Sequence, residues 1–391
     1  MENIIPKFVR PIPSIGDPIV NVDYWDKAIE AFDEGNYKES VTSIINYINP
    51  KLLEGKDLEQ DIDIVQMQGS AEIHVSIRSD LFTVKAPFLR VTEATNQVAL
   101  LRKVAEVNFT PLKLTQIYLD EDKLCFKHEM PLSLCQPNKV YDVLREVCIY
   151  SDDYDDIFID KYKAFFYKKP QYKPLTEQEQ EQVWKQISDI FEDYKNYTAF
   201  FKEKRWDGFI WDIIVISMLK ISNMTYVHGK LRSDLIEYIG NLFNGDLDFN
   251  FRVDKGTNFM KKLVEKSKED IMSNMYHADL FTSLRWRSSE QIITDRLNGN
   301  LERVQQYEKE NNNFSLSYYL QFTFLKLIYD YNIEDSYKKA IEDVLEEVSG
   351  LEPDKAAPKL AKVFHAMHQG TINKKEMQEN KKKGFFSKLF S

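Results

Sequence analysis

The sequence predicts an α+β fold, with an antiparallel sheet and flanking helices on the N-terminal side and an all-helical domain after it. Between Ile62 and Ile77, apolar residues alternate with polar ones, which is the period of half-buried antiparallel strands. From about residue 175 to residue 350, apolar residues instead recur at helical spacing. The chain has 13 Gly among 391 residues, and this low glycine content also favours helices over tight turns.

The length of 391 residues predicts two or three domains, and composition places the boundaries between them. Proline fixes φ and removes a backbone donor, so the proline-rich first residues are not expected to form a helix. The predicted segments are an extended leader (1–20), a helical hairpin (21–54), an α+β domain (55–170), an all-helical domain (175–368) and a flexible basic tail with a short amphipathic end (369–391).

The segment Tyr24 to Pro50 is predicted to form two helices joined by a turn at Gly35, since apolar residues recur at helical spacing on both sides of it. It resembles one tetratricopeptide-type hairpin through Trp25, the Gly35-Asn36-Tyr37 corner, Glu39-Ser40 and the closing Pro50. Such repeats favour Ala where this chain has Ser40. A single repeat cannot bury both of its faces, so we expect the hairpin to pack on the adjoining sheet domain.

Two strands are predicted between Asp61 and Ile77, and further strands run from Leu81 to Val91, from Leu114 to Leu119 and from Lys123 to Pro131. A helix from Thr95 to Val107 lies between the third and fourth strands. We expect this helix to direct four apolar residues inward, which are Val98, Leu101, Val104 and Ala105.

Residues 140–167 are predicted to be largely helical, with an acidic run in the middle. Asp152, Asp153, Asp155 and Asp156 are expected to open a second helical segment on a solvated face, because carboxylates in a first turn favour the positive end of the helix dipole. The run does not fit an EF-hand loop, which needs alternating ligands, a central Gly and a terminal Glu.

Residues 61–164 resemble the bacterial YbjN family, whose fold is similar to that of type III secretion chaperones. The resemblance rests on the order helix, three strands, helix, two strands, helix, and on the run from Leu114 to Phe126. In that run one strand ends in the acidic turn 120–122 and the next strand follows directly. Met130-Pro131-Leu132 and the acidic run 152–156 also fit. The resemblance implies protein binding rather than catalysis.

The helical domain is predicted to begin with a capping box formed by Thr176 and Glu179. The apolar run from Phe209 to Leu219 is interrupted by Asp212 and is much shorter than the ~20 residues of a membrane span, so a buried helix is expected. Breaks between helices are expected near Arg205, Asn223, 245–256, 298–300 and 311–313.

No complete catalytic or cofactor signature is found in the sequence. The chain has no GxxxxGK[ST], GxGxxG, GxSxG or HExxH motif, and we therefore expect no enzymatic activity and no cofactor. His365 and His368 lie three residues apart on a predicted helix, where they would share a face. A zinc site needs three or four protein ligands, so two surface histidines are expected and no metal site.

The three cysteines, Cys125, Cys135 and Cys148, are an odd number without CxxC spacing. This usage suits a reducing compartment, and Cys125 and Cys148 are interpreted as small core residues. The first ten residues lack the apolar core of a signal peptide, so a cytoplasmic protein is expected.

The net charge of −10 argues against a nucleic-acid partner, which would require a basic face. Two basic spots, Arg285-Trp286-Arg287 and Lys261-Lys262, would suit phosphate or an acidic partner. In a chain with this charge we expect them to be salt-bridged or solvated.

The end of the chain combines lysines with apolar residues. In a helix, the 100° step would place Phe385, Phe386, Leu389 and Phe390 on one arc, as in a small interfacial helix beside a basic stretch. The tail thus predicts a weak peripheral contact at the inner face of the membrane, with a flexible tail or capture by a protein groove as alternatives. The candidate binding residues are Lys381, Lys382, Lys383, Phe385, Phe386, Lys388, Leu389 and Phe390.

The leading hypothesis is a non-enzymatic protein-binding adaptor or chaperone-like scaffold in the bacterial cytoplasm, with one or more protein partners and the option of a homo-oligomer. The alternatives are a structural subunit of a large assembly, or an enzyme whose site is assembled from scattered residues of the helical domain. An exposed apolar patch would favour the adaptor or the structural subunit. A deep pocket with converging titratable groups would favour the enzyme.

Overall fold

The computed structural model describes residues 5–12, 23–170 and 172–372 of the chain. It has the predicted α+β architecture, in which an antiparallel sheet with helices is followed by a predominantly helical region. Part of the predicted leader (1–4 and 13–20) and residues 373–391 of the predicted tail lie outside the described residues.

The N-terminal half contains a helical hairpin, one sheet and two longer helices. Its elements are α1 (Asp23–Asp33), α2 (Tyr37–Ile48), β1 (Ile62–Gln68), β2 (Ala71–Arg78), β3 (Leu81–Arg90), α3 (Gln97–Phe109), β4 (Gln116–Asp120), β5 (Lys123–Pro131), α4 (Pro137–Tyr162) and β6 (Phe165–Phe166).

The strands of the sheet lie side by side in the order β1-β2-β3-β5-β4, with every pair antiparallel, and β6 also pairs with β3. Ile64 pairs with Val75, and Val75 pairs with Val84, so a row of buried branched side chains crosses three strands. Such cross-strand pairs stabilise a sheet on its covered face. α4 lies across this sheet and closes the core.

The predicted hairpin is confirmed as α1 and α2, joined at Gly35, whose φ of 80° is the left-handed conformation that glycine adopts most readily. The hydroxyl of Ser40 donates a hydrogen bond of 2.7 Å to the carbonyl of Ala28 and so ties the two helices together. Val41 and Ile44 of α2 are fully buried in the same core as the sheet. The expected packing of the hairpin on the sheet domain is therefore also confirmed.

The C-terminal half is built from helices, with four two-residue strands between them. Its elements are β7 (Lys173–Pro174), α5 (Glu177–Lys204), α6 (Asp207–Ser222), α7 (Gly229–Phe243), α8 (Phe249–Val264), α9 (Lys268–Met272), β8 (Tyr276–His277), β9 (Trp286–Arg287), α10 (Glu290–Lys309), α11 (Asn313–Asp330), β10 (Tyr331–Asn332), α12 (Asp335–Val348) and α13 (Pro353–His368).

α6 is the central helix of this half, and it contains the apolar run from Phe209 to Leu219. Its residues from Ile213 to Ile221 are all buried, and the helix packs against α5, α7, α8 and α11. The sequence-based expectation of a buried helix is confirmed. Among the described helices, none combines the length and the apolar character needed to cross a membrane.

The described part of the leader, residues 5–12, lies on the C-terminal half rather than on the hairpin that follows it in sequence. Ile5 and Phe8 are buried in the core of the helices. The amide of Ile5 donates to the carbonyl of Leu351 at 2.8 Å, and the amide of Gly350 donates to the carbonyl of Ile5 at 3.1 Å. The buried ammonium of Lys220 donates to the carbonyl of Lys7. Residues 5–12 thus pack on the helical half, although the sheet domain follows them in sequence.

Some expected helix boundaries are wrong. Residues 298–300 lie inside α10, and Gly256 lies inside α8, where a side chain at this position would come within about 3.0 Å of Ile214. Between α9 and α10, by contrast, the chain from 273 to 289 is mostly irregular, although the pattern up to about residue 350 was expected to be helical almost throughout. Polar and apolar residues are mixed in this segment without a clear helical or strand period. Its conformation depends on contacts with the N-terminal half.

The hairpin makes a testable contribution to stability through Trp25, whose ring meets Tyr47 edge-on at 5.1 Å and Tyr141 at 5.8 Å. Trp25→Ala should lower the free energy of unfolding by about 3 kcal/mol, because the aromatic packing is lost. Ile29→Ala on the exposed face of the same helix is the matched control and should change it by less than about 1 kcal/mol. Equal effects of the two substitutions in urea denaturation would contradict this packing.

Candidate functional site

The exposed face of α3 carries an apolar stripe. Val98, Leu101, Ala105 and Phe109 are exposed, and the three larger side chains reach 65%, 41% and 88% of their full exposure, respectively. With 100° per residue, these four positions fall within an arc of about 80°. We call Val98, Leu101, Ala105 and Phe109 the α3 stripe.

The opposite face of α3 anchors the helix. Leu100, Val104 and Val107 are buried in the core beneath the sheet. The side chain of Asn96 caps the helix by accepting a hydrogen bond from the amide of Ala99. α3 is therefore apolar on two faces, and only one of them is covered within the described part of the chain.

The expected inward orientation of Val98, Leu101 and Ala105 is wrong, and only Val104 of the four points into the core. Both faces of α3 have helical spacing, so periodicity alone could not tell which of them is buried.

The free edge of β4, next to α3, is covered by a side chain. The amide of Ile117 donates to Asn108 Oδ1 at 2.7 Å, and Asn108 Nδ2 donates to the carbonyl of Ile117 at 2.8 Å. Just before this strand, Glu146 accepts the amides of Lys113 at 3.1 Å and Thr115 at 2.9 Å. These bonds occupy backbone groups that another strand would need, and they disfavour strand addition at this end of the edge.

A recess of about 400 Å³ lies between the C-terminal end of α3 and the strands β4 and β5. Asn108, the residue before Phe109, lines it together with Lys113, Lys127 and His128. His128 Nδ1 donates to the carbonyl of Leu114 at 2.7 Å, and burial lowers the pKa of this imidazole. The ring is therefore neutral at pH 7, and the two lysines supply the positive charge of the recess.

The acidic run of α4 is not a solvated helix start, and that expectation is wrong. α4 is continuous from Pro137 to Tyr162, so the run lies in its middle. The guanidinium of Arg232 on α7 contacts Asp152 and lies 2.9 Å from Asp153. Asp155 is almost fully buried and accepts a hydrogen bond from the Ser70 hydroxyl. We call the four carboxyl groups of Asp152, Asp153, Asp155 and Asp156 the α4 acidic cluster.

Burial controls the protonation of the α4 acidic cluster. It raises the pKa of Asp153 to about 6, and together with nearby carboxylates it raises the pKa of Asp156 to about 6. Burial and the charge of Asp152 raise the pKa of Asp155 well above its usual range. Asp153, Asp155 and Asp156 are therefore poised to keep protons under conditions in which an exposed aspartate has lost its own.

The basic spot at 285–287 stacks on aromatic rings. The guanidinium of Arg287 lies 3.7 Å from the ring centre of Trp25, and that of Arg145 on α4 lies 4.0 Å from the ring centre of Trp286. Such cation–π contacts differ from the salt-bridged or solvated state that we expected for Arg287. They link the hairpin and α4 to the irregular segment of the C-terminal half.

The remaining candidates do not converge on one site in the described residues. His365 Nε2 pairs with Glu308 at 2.9 Å and His368 Nε2 with Asn298 at 2.6 Å, so the two rings face different partners. Within residues 5–12, 23–170 and 172–372, no group of three or more His, Cys, Asp and Glu side chains is arranged to hold a metal ion. All three cysteines are buried and free, which confirms the interpretation of Cys125 and Cys148 as small core residues.

The candidate tail residues fall outside the described part of the chain and stay a prediction. They are Lys381, Lys382, Lys383, Phe385, Phe386, Lys388, Leu389 and Phe390.

Two adjacent leucines test the two faces of α3. Leu100→Ala should lower the free energy of unfolding by about 2–5 kcal/mol, since Leu100 is fully buried and its truncation leaves a cavity. Leu101→Ala should change it by less than about 1 kcal/mol, because Leu101 is on the α3 stripe. Chemical denaturation of both variants measures these free energies of unfolding. A larger decrease for Leu101→Ala than for Leu100→Ala would refute the orientation of the helix.

No model of a protein family matches the chain, and no curated protein matches its sequence significantly.

Proposed function

We propose that this chain is a non-enzymatic, protein-binding adaptor or chaperone-like scaffold that holds an apolar segment of a partner protein on the α3 stripe. The observation that carries the proposal is Phe109, which is 88% exposed at the end of a row of apolar side chains. Burying a phenylalanine side chain stabilises a complex by about 2 kcal/mol, so a partner that covers the stripe gains affinity from each of its members.

Side chains rather than backbone groups would recognise the partner. Asn108 already occupies both outward hydrogen-bonding groups of Ile117, so a partner strand would find little to pair with beside α3. An amphipathic helix needs no such groups, and its apolar residues at i, i+3/i+4 and i+7 match the spacing of Val98, Leu101 and Ala105. We therefore propose an amphipathic helix as the partner segment.

The recess at the end of the stripe would add specificity. Lys113 and Lys127 line it, and Lys127 lies 3.3 Å from Glu129 at an exposed position where water screens the pair. An acidic residue of the partner helix, placed next to the residue that covers Phe109, would meet these two ammonium groups. Charge of this kind steers a partner and fixes its register more than it adds affinity.

The order of elements supports the proposal. From α2 to α4 the chain has a helix, three strands, a helix, two strands and a helix, which is the order on which the resemblance to the YbjN family and to type III secretion chaperones rests. In this proposal the protein works in the bacterial cytoplasm. Weak contact of the C-terminal tail with the inner face of the membrane stays part of it.

A second exposed apolar group on the helical half favours an adaptor with two surfaces, and equally the structural-subunit alternative. Phe243 at the end of α7 and Phe249 and Phe251 at the start of α8 are all exposed. This group lies in the C-terminal half of the chain, whereas the α3 stripe lies in the N-terminal half. A protein with two apolar surfaces can join two partners or two neighbours in an assembly.

Charge substitution on the stripe tests the proposal. Leu101→Glu combined with Phe109→Glu should weaken partner binding by about 100-fold or more, because two carboxylates would be desolvated at the interface. The matched control is Val65→Glu, which adds a charge at an exposed apolar position of β1 far from α3 in sequence.

Affinity purification of the tagged full-length proteins, with quantitative mass spectrometry, provides the measurement. A set of proteins that co-purifies with the wild type and the Val65→Glu control but not with the double variant supports the proposal. If the double variant retains the same set while its melting temperature is unchanged, the α3 stripe is not the binding surface.

A further inference from the structure

The α4 acidic cluster lies where three parts of the fold meet. From the sheet side, the turn between β1 and β2 approaches so closely that the amide of Ser70 donates to Asp152 Oδ1 at 2.9 Å. Gly69 in this turn has a φ of 57°, and a Cβ there would overlap the Asp152 carboxylate. The amide of Gly69 in turn donates to the carbonyl of Asp279 at 3.1 Å, in the irregular segment of the C-terminal half.

From the helical side, the start of α7 closes over the same cluster. Arg232 is buried and reaches Asp152 and Asp153. The ring of His228 is buried, stacks on Tyr276 at 4.7 Å, and has an Nε2 atom without a hydrogen-bond partner among the described residues. The carboxylate of Asp156 lies beside Gly229, where a Cβ would come within 3.7 Å of it.

The charges around the cluster do not balance. Arg232 contacts two of the four carboxyl groups, Lys230 is paired with Asp234 at 2.7 Å, and burial lowers the pKa of His228 to about 4 and keeps its ring neutral. Arg145 directs its guanidinium to backbone carbonyls. The titratable and charged groups that face the cluster are Arg145, Tyr150 and Tyr154 on α4, His228, Lys230 and Arg232 at the start of α7, Tyr172, Tyr276 and Tyr329.

We propose that this junction is a proton-operated latch between the two halves of the protein: the carboxyl groups of Asp153, Asp155 and Asp156 hold the β1–β2 turn and the start of α7 together when they carry protons, and loosen that contact when they are ionised. This device is independent of the α3 stripe and does not rest on partner binding.

The direction of the pH effect follows from where protons bind more tightly. An aspartate in the open junction meets water and has a pKa near 3.9, whereas the closed junction raises the pKa of Asp153 and Asp156 to about 6. The closed form therefore takes up protons. Its stability from these groups is fully present below about pH 4, falls as the pH rises through 6, and is lost above that. Asp155 contributes a loss of the same direction, because burial raises its pKa well above the usual range.

Hydrogen exchange of the full-length protein tests the latch. Peptides that cover residues 69–71 and 229–235 should lose about 16-fold of their protection between pH 5.5 and pH 8.0, after correction for intrinsic exchange rates. Two groups with this shift, each changing the closing equilibrium about fourfold over this range, give that magnitude. A flat profile in the wild type would overturn the proposal without any variant.

Amide substitutions complete the test, since asparagine imitates the protonated carboxyl group at every pH. Asp153→Asn combined with Asp156→Asn should keep the high protection at pH 8.0, and the single Asp156→Asn variant should keep part of it. Asp160→Asn on the exposed side of the same helix is the matched control and should behave as the wild type. If the double variant retains the pH dependence of the wild type, other groups cause it and the latch is refuted.

Discussion

The arrangement of the two halves depends on one buried guanidinium, that of Arg145. This side chain leaves the middle of α4 and donates to three consecutive carbonyls of the C-terminal half, Ser283 at 2.9 Å, Leu284 at 2.8 Å and Arg285 at 2.8 Å. Its face meanwhile stacks on Trp286. Burial lowers the pKa of this group, but an arginine keeps its charge at any physiological pH. A buried charge is tolerated here because carbonyl dipoles surround it.

Because Arg145 fixes the irregular segment between α9 and α10, the two halves share one interior. Phe281, from that segment, is fully buried in the core of the sheet domain. Gln68 at the end of β1 accepts the amide of Thr282 at 2.9 Å, and Arg287 covers the ring of Trp25. At the opposite end of the chain, Ile5 and Phe8 lie in the core of the helices. Segments that precede and follow the sheet domain in sequence thus both belong to the helical half. α4 packs between the sheet and the helices of that half.

This enclosure separates the two features that bear on function. α3 lies on the N-terminal half and leaves one apolar face open to a partner. The α4 acidic cluster lies at the contact with α7, where ionised carboxylates would oppose close packing. Partner binding on the α3 stripe needs an exposed surface, whereas the pH response of the α4 acidic cluster needs a buried one. A single helical layer, α3 with α4, provides both.

Local patterns in the sequence predicted the elements that depend on local physics. Alternation gave the strands, Thr176 and Glu179 form the expected capping box, and Gly35 forms the expected turn. The predictions that were wrong concern features that depend on residues distant in sequence. The acidic run is buried because Arg232 lies opposite it on α7, and no spacing within α4 indicates that partner. The orientation of α3 also failed, because the helix is apolar on both faces.

Scanning calorimetry of the full-length protein tests the shared interior most directly. We expect one cooperative transition for the wild type, with equal calorimetric and van't Hoff enthalpies. Arg145→Met should divide it into two transitions at lower temperature, since three buried carbonyls lose their donor. Arg102→Met on the exposed surface of α3 should leave the single transition unchanged. Two independent transitions in the wild type, or a single one unaffected by Arg145→Met, would contradict the central role of this residue.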